Sequence, residues 1–277
     1  MKCFVCGGEM KFFMEKSFGM ENLDKAEYVR CENCGLTVSK TLYEMSPEQW
    51  GKLNFECHDK LFHGGIDYVD VDPNVYTRFE FKSNLFADLV KRGIFKSDWR
   101  AVDYGAGDGV LADKTNSKIG KNWLKKFDAY MAEDENYLPT QEMRPHSFDF
   151  VLSCSVFEHL LGIGDVEKIV NLVKPGGVMG MHTLVCEEVP KDPDWFYLYP
   201  VHCTFWTNKS MQLIYEKFGF KRCLYHVESR LWLMFYDAEI FDKIKSCADE
   251  LAGTFVFSEN FVDYWKVKKL VFPKKQS

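Results

Sequence analysis

A chain of 277 residues, 46% of them hydrophobic, has enough apolar material for one main domain with a sizeable core and a small appendage. Its formal net charge of −6 argues against a broad nucleic-acid footprint, and no apolar stretch reaches the length needed to span a bilayer. Met1-Lys2-Cys3 opens directly into a cysteine motif, so no secretory leader is expected and the ten cysteines are expected in a reducing cytoplasm.

The first element is predicted from those cysteines. Cys3-x-x-Cys6-Gly7 and Cys31-x-x-Cys34-Gly35 are two knuckles of the same form. Each Cys-x-x-Cys-Gly turn aims two thiolates at one point, and four sulfurs complete a closed, structural tetrahedral Zn2+ site. Two disulfides or free core thiols are the other readings of the same four residues. Short strands and polar turns are expected between the knuckles, as in a zinc ribbon, with the metal supplying folding energy to a unit too small to bury much apolar surface. The remaining cysteines lack such pairing and read as buried thiols. Cys57-His58 with His63 is an irregularly spaced second cluster.

Further along, Ser46-Pro47 reads as a helix cap followed by proline at the first helical position. Residues 67–74 are turn-rich and acidic. Phe79–Lys91 is an amphipathic helix with Phe79, Phe81, Leu85, Phe86 and Leu89 available for packing. An apolar approach through Trp99, Ala101 and Val102 then enters Val102-Asp103-Tyr104-Gly105-Ala106-Gly107-Asp108-Gly109, with a helix-compatible segment, 110–119, behind it. Strand, glycine-rich turn and helix N-terminus together let a backbone approach a ligand closely. A plain glycine-rich loop is the alternative.

A second strand is expected to end at Asp128. Phe148–Leu152 is a short apolar run, consistent with a buried parallel strand, and a helix is expected to begin over residues 156–161. A helix over 166–173, broken by Lys174-Pro175-Gly176-Gly177, precedes a strand over 178–183. A long aromatic segment, 190–207, reads as a loop at the carboxyl edge of the sheet, where loops carry function. A helix over 208–218 and an antiparallel hairpin over 220–226 and 231–236 are expected to finish the sheet. A helix over 238–251 and an aromatic tail follow. The basic clusters 118–126 and 266–275 read as solvated faces.

The spacing Asp103-x-Gly105-x-Gly107-x-Gly109 departs from the dinucleotide-binding pattern and resembles the first motif of class I S-adenosylmethionine-dependent methyltransferases. Phe148-Asp149-x-Val151 with Glu158-His159-Leu160, the Lys-Pro-Gly-Gly before an apolar strand, and His202-x-x-Phe205-Trp206-Thr207 before the last helix are similar to the type 11/23 members of that family. The resemblance covers residues 98–236. It implies an α/β fold: a Rossmann-like, doubly wound, mostly parallel sheet of the seven-stranded type, here with an N-terminal zinc ribbon. The family's third strand is hard to find, because 132–145 is short and polar. The expected divisions are a zinc-ribbon unit (1–45), a helical connector (46–97), a methyltransferase domain (98–236) and a C-terminal helical extension (237–277).

The resemblance further implies a cofactor, S-adenosylmethionine, held by Asp103, Gly105, Gly107, Gly109, Asp128, Ser153 and His159. Asp128 would take the ribose hydroxyls, a task suited to an acceptor-only carboxylate. Asp134 or Glu133 takes that role if the second strand runs on to Met131. A sulfonium methyl is already electrophilic, so the protein must align an acceptor and remove its proton. His202 and His182 are the candidate catalytic residues; a hydrogen-bonded structural histidine is the alternative for each. Trp195, Tyr197, Tyr199 and Trp206 either contact the acceptor or pack as a lid. The expected acceptor is a small polar molecule such as a sugar, a nucleotide-sugar or a related precursor. An RNA base methyltransferase and an inactive cofactor-binding zinc module are the alternatives.

Overall fold

The structure, a computed structural model, describes residues 1–63, 75–131 and 134–271. In chain order its elements are β1 (Met10–Met20), β2 (Leu23–Cys31), β3 (Thr37–Ser39), α1 (Lys40–Tyr43), α2 (Pro47–His63), α3 (Val75–Lys91), β4 (Ala101–Tyr104), α4 (Val110–Ile119), β5 (Leu124–Phe127), β6 (Phe148–Cys154), α5 (Ile163–Val170), β7 (Val173–His182), β8 (Val185–Cys186), β9 (Thr204–Thr207), α6 (Asn208–Lys217), β10 (Arg222–His226), β11 (Leu231–Phe235), α7 (Glu239–Ser246), β12 (Phe255–Ser258) and α8 (Tyr264–Val271). They fall into two units. One gathers the described residues among Met1–Pro73, Phe157–Asp165 and Leu184–Leu213. The other gathers those among Asn74–Val156, Val166–Thr183 and Ile214–Ser277.

The first unit is built on a five-stranded sheet of order β1-β2-β3-β9-β8. β1 and β2 form a long antiparallel hairpin, pairing Met10 with Cys31 and Met20 with Leu23, rather than the short strands expected between the knuckles. β3 pairs antiparallel with β2 on one side and with β9 on the other, Thr37 opposite Phe205. The end of the aromatic segment is therefore not a loop at the edge of the main sheet. All four residues of β9 are buried, which suits a strand covered on both faces. Trp206 donates from Nε1 to the Phe157 carbonyl at 2.9 Å, and Thr207 Oγ1 donates to the Cys34 carbonyl at 2.6 Å. Phe13, Tyr28, Leu42, Leu53, Tyr197, Val201 and Phe205 share one apolar cluster beneath the sheet. α2 begins as its cap predicts: the Gln49 N–H donates to Ser46 Oγ at 3.2 Å, and the Ser46 N–H donates to Gln49 Oε1 at 2.9 Å.

The second unit holds a seven-stranded mixed sheet of order β12-β10-β11-β7-β6-β4-β5. β5, β4, β6 and β7 run parallel. β11, β10 and β12 run antiparallel to their neighbours. The central parallel strands β4 and β6 carry mostly buried residues, largely apolar, as a sheet covered on both faces requires. Beyond β5 the described residues add only an isolated parallel bridge, Lys126 to Tyr137, and a 3-10 turn over Thr140–Glu142. Among the described residues no third parallel strand forms there. The hairpin β10–β11 does not finish the sheet, because β12, drawn from the aromatic tail, pairs along β10 with Leu224 opposite Phe257. The helix expected over 156–161 is a 3-10 turn, Phe157–His159. The helix expected over 238–251 is α7, followed by a 3-10 turn. Leu85, Phe86, Leu89, Phe95, Trp123, Phe150, Leu152 and Leu233 form part of the unit's core. No helix among the described residues is long and apolar enough to cross a membrane.

Candidate functional site

The strand–turn–helix predicted around residue 105 is present. Asp103 lies in β4, Gly109 caps α4 from the left-handed region at φ 76°, and Gly105 and Gly107 have φ of 75° and 54°. The amides of Gly105 and Ala106 both donate to the Phe127 carbonyl at the end of β5, at 2.8 and 3.0 Å. The Gly107 N–H donates to Asp128 Oδ2 at 2.9 Å, and the Tyr137 hydroxyl donates to the Gly107 carbonyl at 2.6 Å. Asp128 Oδ1 accepts from the Tyr130 N–H at 2.9 Å. One acid thus braces the turn, and its two oxygens retain acceptor capacity. The glycines differ in their surroundings. A Cβ on Gly105 would lie 2.4 Å from Val156 Cγ2, whereas a Cβ on Gly107 would meet nothing within 4 Å. Gly105 is required by packing; Gly107 faces open space.

Strand register places Tyr104 beside Ser153, and Cys154 beside His182, at the carboxyl ends of β4, β6 and β7. That is where open α/β sheets take ligands. Ser153 Oγ is buried there with no hydrogen-bond partner. His182 is half-buried, and its Nδ1 bonds the Arg230 carbonyl at 2.7 Å; burial, and then Lys82 and Arg78, hold its pKa well below the usual imidazole value. Asp134 is half-buried and accepts from the backbone and side chain of Asn136, both at 2.8 Å. It makes no bond to the glycine turn. Glu133, the other candidate, lies outside the described residues.

Sequence reading missed Lys82. It lies on α3, is fully buried, has no hydrogen-bond partner for Nζ, and sits 5.6 Å from the centroid of the Phe79 ring. Desolvation lowers its pKa, opposed in part by the charge of Asp103. Asp103 is buried too, and desolvation pushes its carboxyl up to about 7, with Lys82 pulling the other way. The signal was present in the sequence: Lys82 follows Phe79 by three and precedes Phe86 by four, inside the apolar stripe of the helix.

In the first unit the four cysteines converge. Cys3 Sγ lies 3.7 Å from Cys34 Sγ, and Cys6 Sγ 3.4 Å from Cys31 Sγ, with all four within 4.8 Å of one another. Zinc–sulfur bonds of about 2.3 Å in a tetrahedron put sulfurs ~3.8 Å apart. A disulfide needs about 2.05 Å. The knuckles repeat one backbone pattern. The Gly7 N–H donates to the Cys3 carbonyl at 2.8 Å and the Gly35 N–H to the Cys31 carbonyl at 2.9 Å, with φ of 71° and 74° at the two glycines. The spacing and donor set fit a tetrahedral thiophilic cation.

The same unit contains His202, buried, with Nδ1 bonded to the Tyr197 carbonyl at 2.9 Å. Burial pushes its pKa down to about 4, so the ring is neutral at pH 7. His159, half-buried, bonds the Val201 carbonyl through Nδ1 at 3.0 Å. The two rings meet edge to face with centroids 5.0 Å apart. Glu158 is buried beside them and accepts from the Tyr197 hydroxyl at 2.8 Å. Sequence reading had treated His159 and His202 as unconnected and gave Glu158 no role. Trp195 packs against Tyr197 and Phe205 within this unit, as a lid residue or core residue would. Cys57 is buried in the apolar cluster, whereas the side chains of His58 and His63 lie outside the described residues.

No family model matches the chain, and no curated protein matches it. Among solved structures, it aligns with a methyltransferase from Thermotoga maritima, described as a possible histamine N-methyltransferase, at 16% identity and a TM-score of 0.37, covering 61% of this chain and 97% of the other. The plantazolicin methyltransferase BpumL, bound to S-adenosylhomocysteine, aligns at 12% identity and a TM-score of 0.42, covering 70% and 93%. Phosphoethanolamine N-methyltransferase 2 of Haemonchus contortus aligns at 15% identity and a TM-score of 0.46, covering 87% and 59%.

Proposed function

We propose that this chain is an S-adenosylmethionine-dependent methyltransferase acting on a small polar acceptor. The observation that carries the reading is the glycine turn braced by Asp128, with Gly107 facing open space and an orphaned Ser153 hydroxyl on a neighbouring strand end. Bound there, S-adenosylmethionine would supply an electrophilic methyl group. Gly105, Gly107 and Gly109 would give it close backbone approach, Asp128 would accept from its ribose hydroxyls, and Ser153 would donate to it. Asp103, at the strand end beneath the turn, would shape the same pocket.

His182 and His202, one in each unit, are the two imidazoles proposed as proton acceptors. Each has Nδ1 engaged on a backbone carbonyl, which leaves the ring's second nitrogen as the proton acceptor, and burial keeps each ring neutral. The acceptor class follows the sequence argument: a sugar or nucleotide-sugar, consistent with an acidic chain. The four cysteines are proposed to hold one structural Zn2+.

Isothermal calorimetry with S-adenosylhomocysteine tests the cofactor. Binding is expected in the wild type, with a loss of about tenfold or more in Asp128→Ala. Full affinity in that variant removes the assignment of the ribose acid, and absence of binding by the wild type removes the methyltransferase reading.

A further inference from the structure

Glu158, His159 and His202 are 44 residues apart at most, yet one ligand-capable atom from each lies within 4.8 Å of the other two. Two histidines and one carboxylate are a recurrent donor set for divalent first-row cations, and three protein ligands leave coordination positions open. The support around them is of the kind such sites need. His159 donates Nδ1–H to the Val201 carbonyl, and His202 donates Nδ1–H to the Tyr197 carbonyl. Each bond fixes the tautomer in which Nε2 carries the lone pair, and fixes the plane of the ring. Tyr197 adds a hydroxyl donated to Glu158 Oε1, so the carboxylate is oriented as well. Its backbone carbonyl holds one ring and its side chain holds the acid; Tyr197 therefore supports two of the three donors.

The backbone locks the constellation in place. The Cys203 N–H donates to the Glu158 carbonyl at 2.8 Å, and Thr204 Oγ1 donates to the Leu160 carbonyl at 2.6 Å, stitching the 3-10 turn to the start of β9. Glu158 is 2% exposed.

We infer that Glu158, His159 and His202 form a second metal site, selective for a divalent cation that accepts mixed nitrogen and oxygen ligands, such as Mn2+, Fe2+, Co2+ or Zn2+. The four-cysteine site differs in its donors, which are all sulfur. The inference does not rest on methyl transfer. If both hold, His202 serves as a ligand, and His182 is the imidazole left for proton removal.

The test uses the full chain already loaded with zinc at the cysteines. Mn2+ is added and its unbound fraction followed by electron paramagnetic resonance; Co2+ is followed by visible absorption. One equivalent beyond the cysteine-bound zinc is expected, and its Co2+ spectrum should lack sulfur-to-metal charge transfer. Glu158→Gln and His202→Ala should abolish that equivalent. Tyr197→Phe should weaken it about tenfold to a hundredfold. Should His202→Ala fail to fold, Glu158→Gln and the half-buried His159→Ala carry the test. The inference is overturned if Mn2+, Co2+ and Zn2+ all stop at the cysteine site, or if a further equivalent binds Glu158→Gln and His159→Ala as tightly as the wild type. Both results are independent of S-adenosylhomocysteine binding, which reports on the other proposal.

Discussion

Two glycines two positions apart make opposite predictions. Gly105→Ala drives a methyl into Val156, so it should destabilise the fold by more than the roughly 1–2 kcal/mol that a left-handed alanine costs. Gly107→Ala meets no protein atom and should cost only that backbone strain, while cofactor-product affinity drops. Urea denaturation and calorimetry on the two variants separate the effects. Asp103 makes a prediction in pH. Its carboxyl is raised to about 7 in the folded chain, against about 3.9 in an unfolded one. Between those values the folded state binds more protons, so this group's contribution to stability falls as pH rises from about 4 to about 7 and stays low above that. Asp103→Asn removes the dependence. The cofactor-free variant should gain stability relative to wild type between pH 5 and pH 8, followed by thermal denaturation. A constant difference across that range would show that Lys82 already compensates the charge.

At the scale of elements, legibility followed locality. The knuckles, the cap of α2 and the turn before α4 are written in residues a few positions apart, where glycine, proline and serine have specific backbone uses. Ser46→Ala should accordingly destabilise α2 by about 1 kcal/mol in chemical denaturation, through loss of the bond to the Gln49 amide. Three of the four parallel strands, β4, β6 and β7, were legible as short apolar runs, and β5, Leu-Lys-Lys-Phe, only by its place before Asp128. β9 and β12 were not. Thr204–Thr207 and Phe255–Ser258 carry strand-compatible residues, but nothing within either segment states its partner, and β pairing is chosen by contacts far away in sequence. Lys82 was hidden by the habit of assigning charge to the wet face of a helix. Glu158 was hidden because only His159 adjoins it in sequence, and His202 comes from a segment 44 residues further on.

For the molecule as a whole, the two units should respond to different ligands. Hydrogen exchange after removal of metal with a strong thiophilic chelator should deprotect residues 3–8 and 31–36, because a metal-dependent knuckle has little apolar core of its own. Amides of β4, β6 and β7 should hold, their core being apolar and separate. S-adenosylhomocysteine at about a hundred times its dissociation constant should instead protect residues 105–109 and 128–130 and add about 2.7 kcal/mol to stability. Uniform deprotection of both sheets by the chelator would contradict this division.

The pairing of Thr37 with Phe205 also has a temporal side. β3 leaves the ribosome about 170 residues before β9 does, which at 5–20 residues per second is roughly 10–30 s. Through that interval the hairpin and its knuckles can be made, but one edge of β3 stays unpaired and adhesive. A nascent chain of this protein therefore passes through a vulnerable period that its finished sheet does not reveal. Metal available during synthesis, rather than afterwards, would shorten the list of ways it can go wrong.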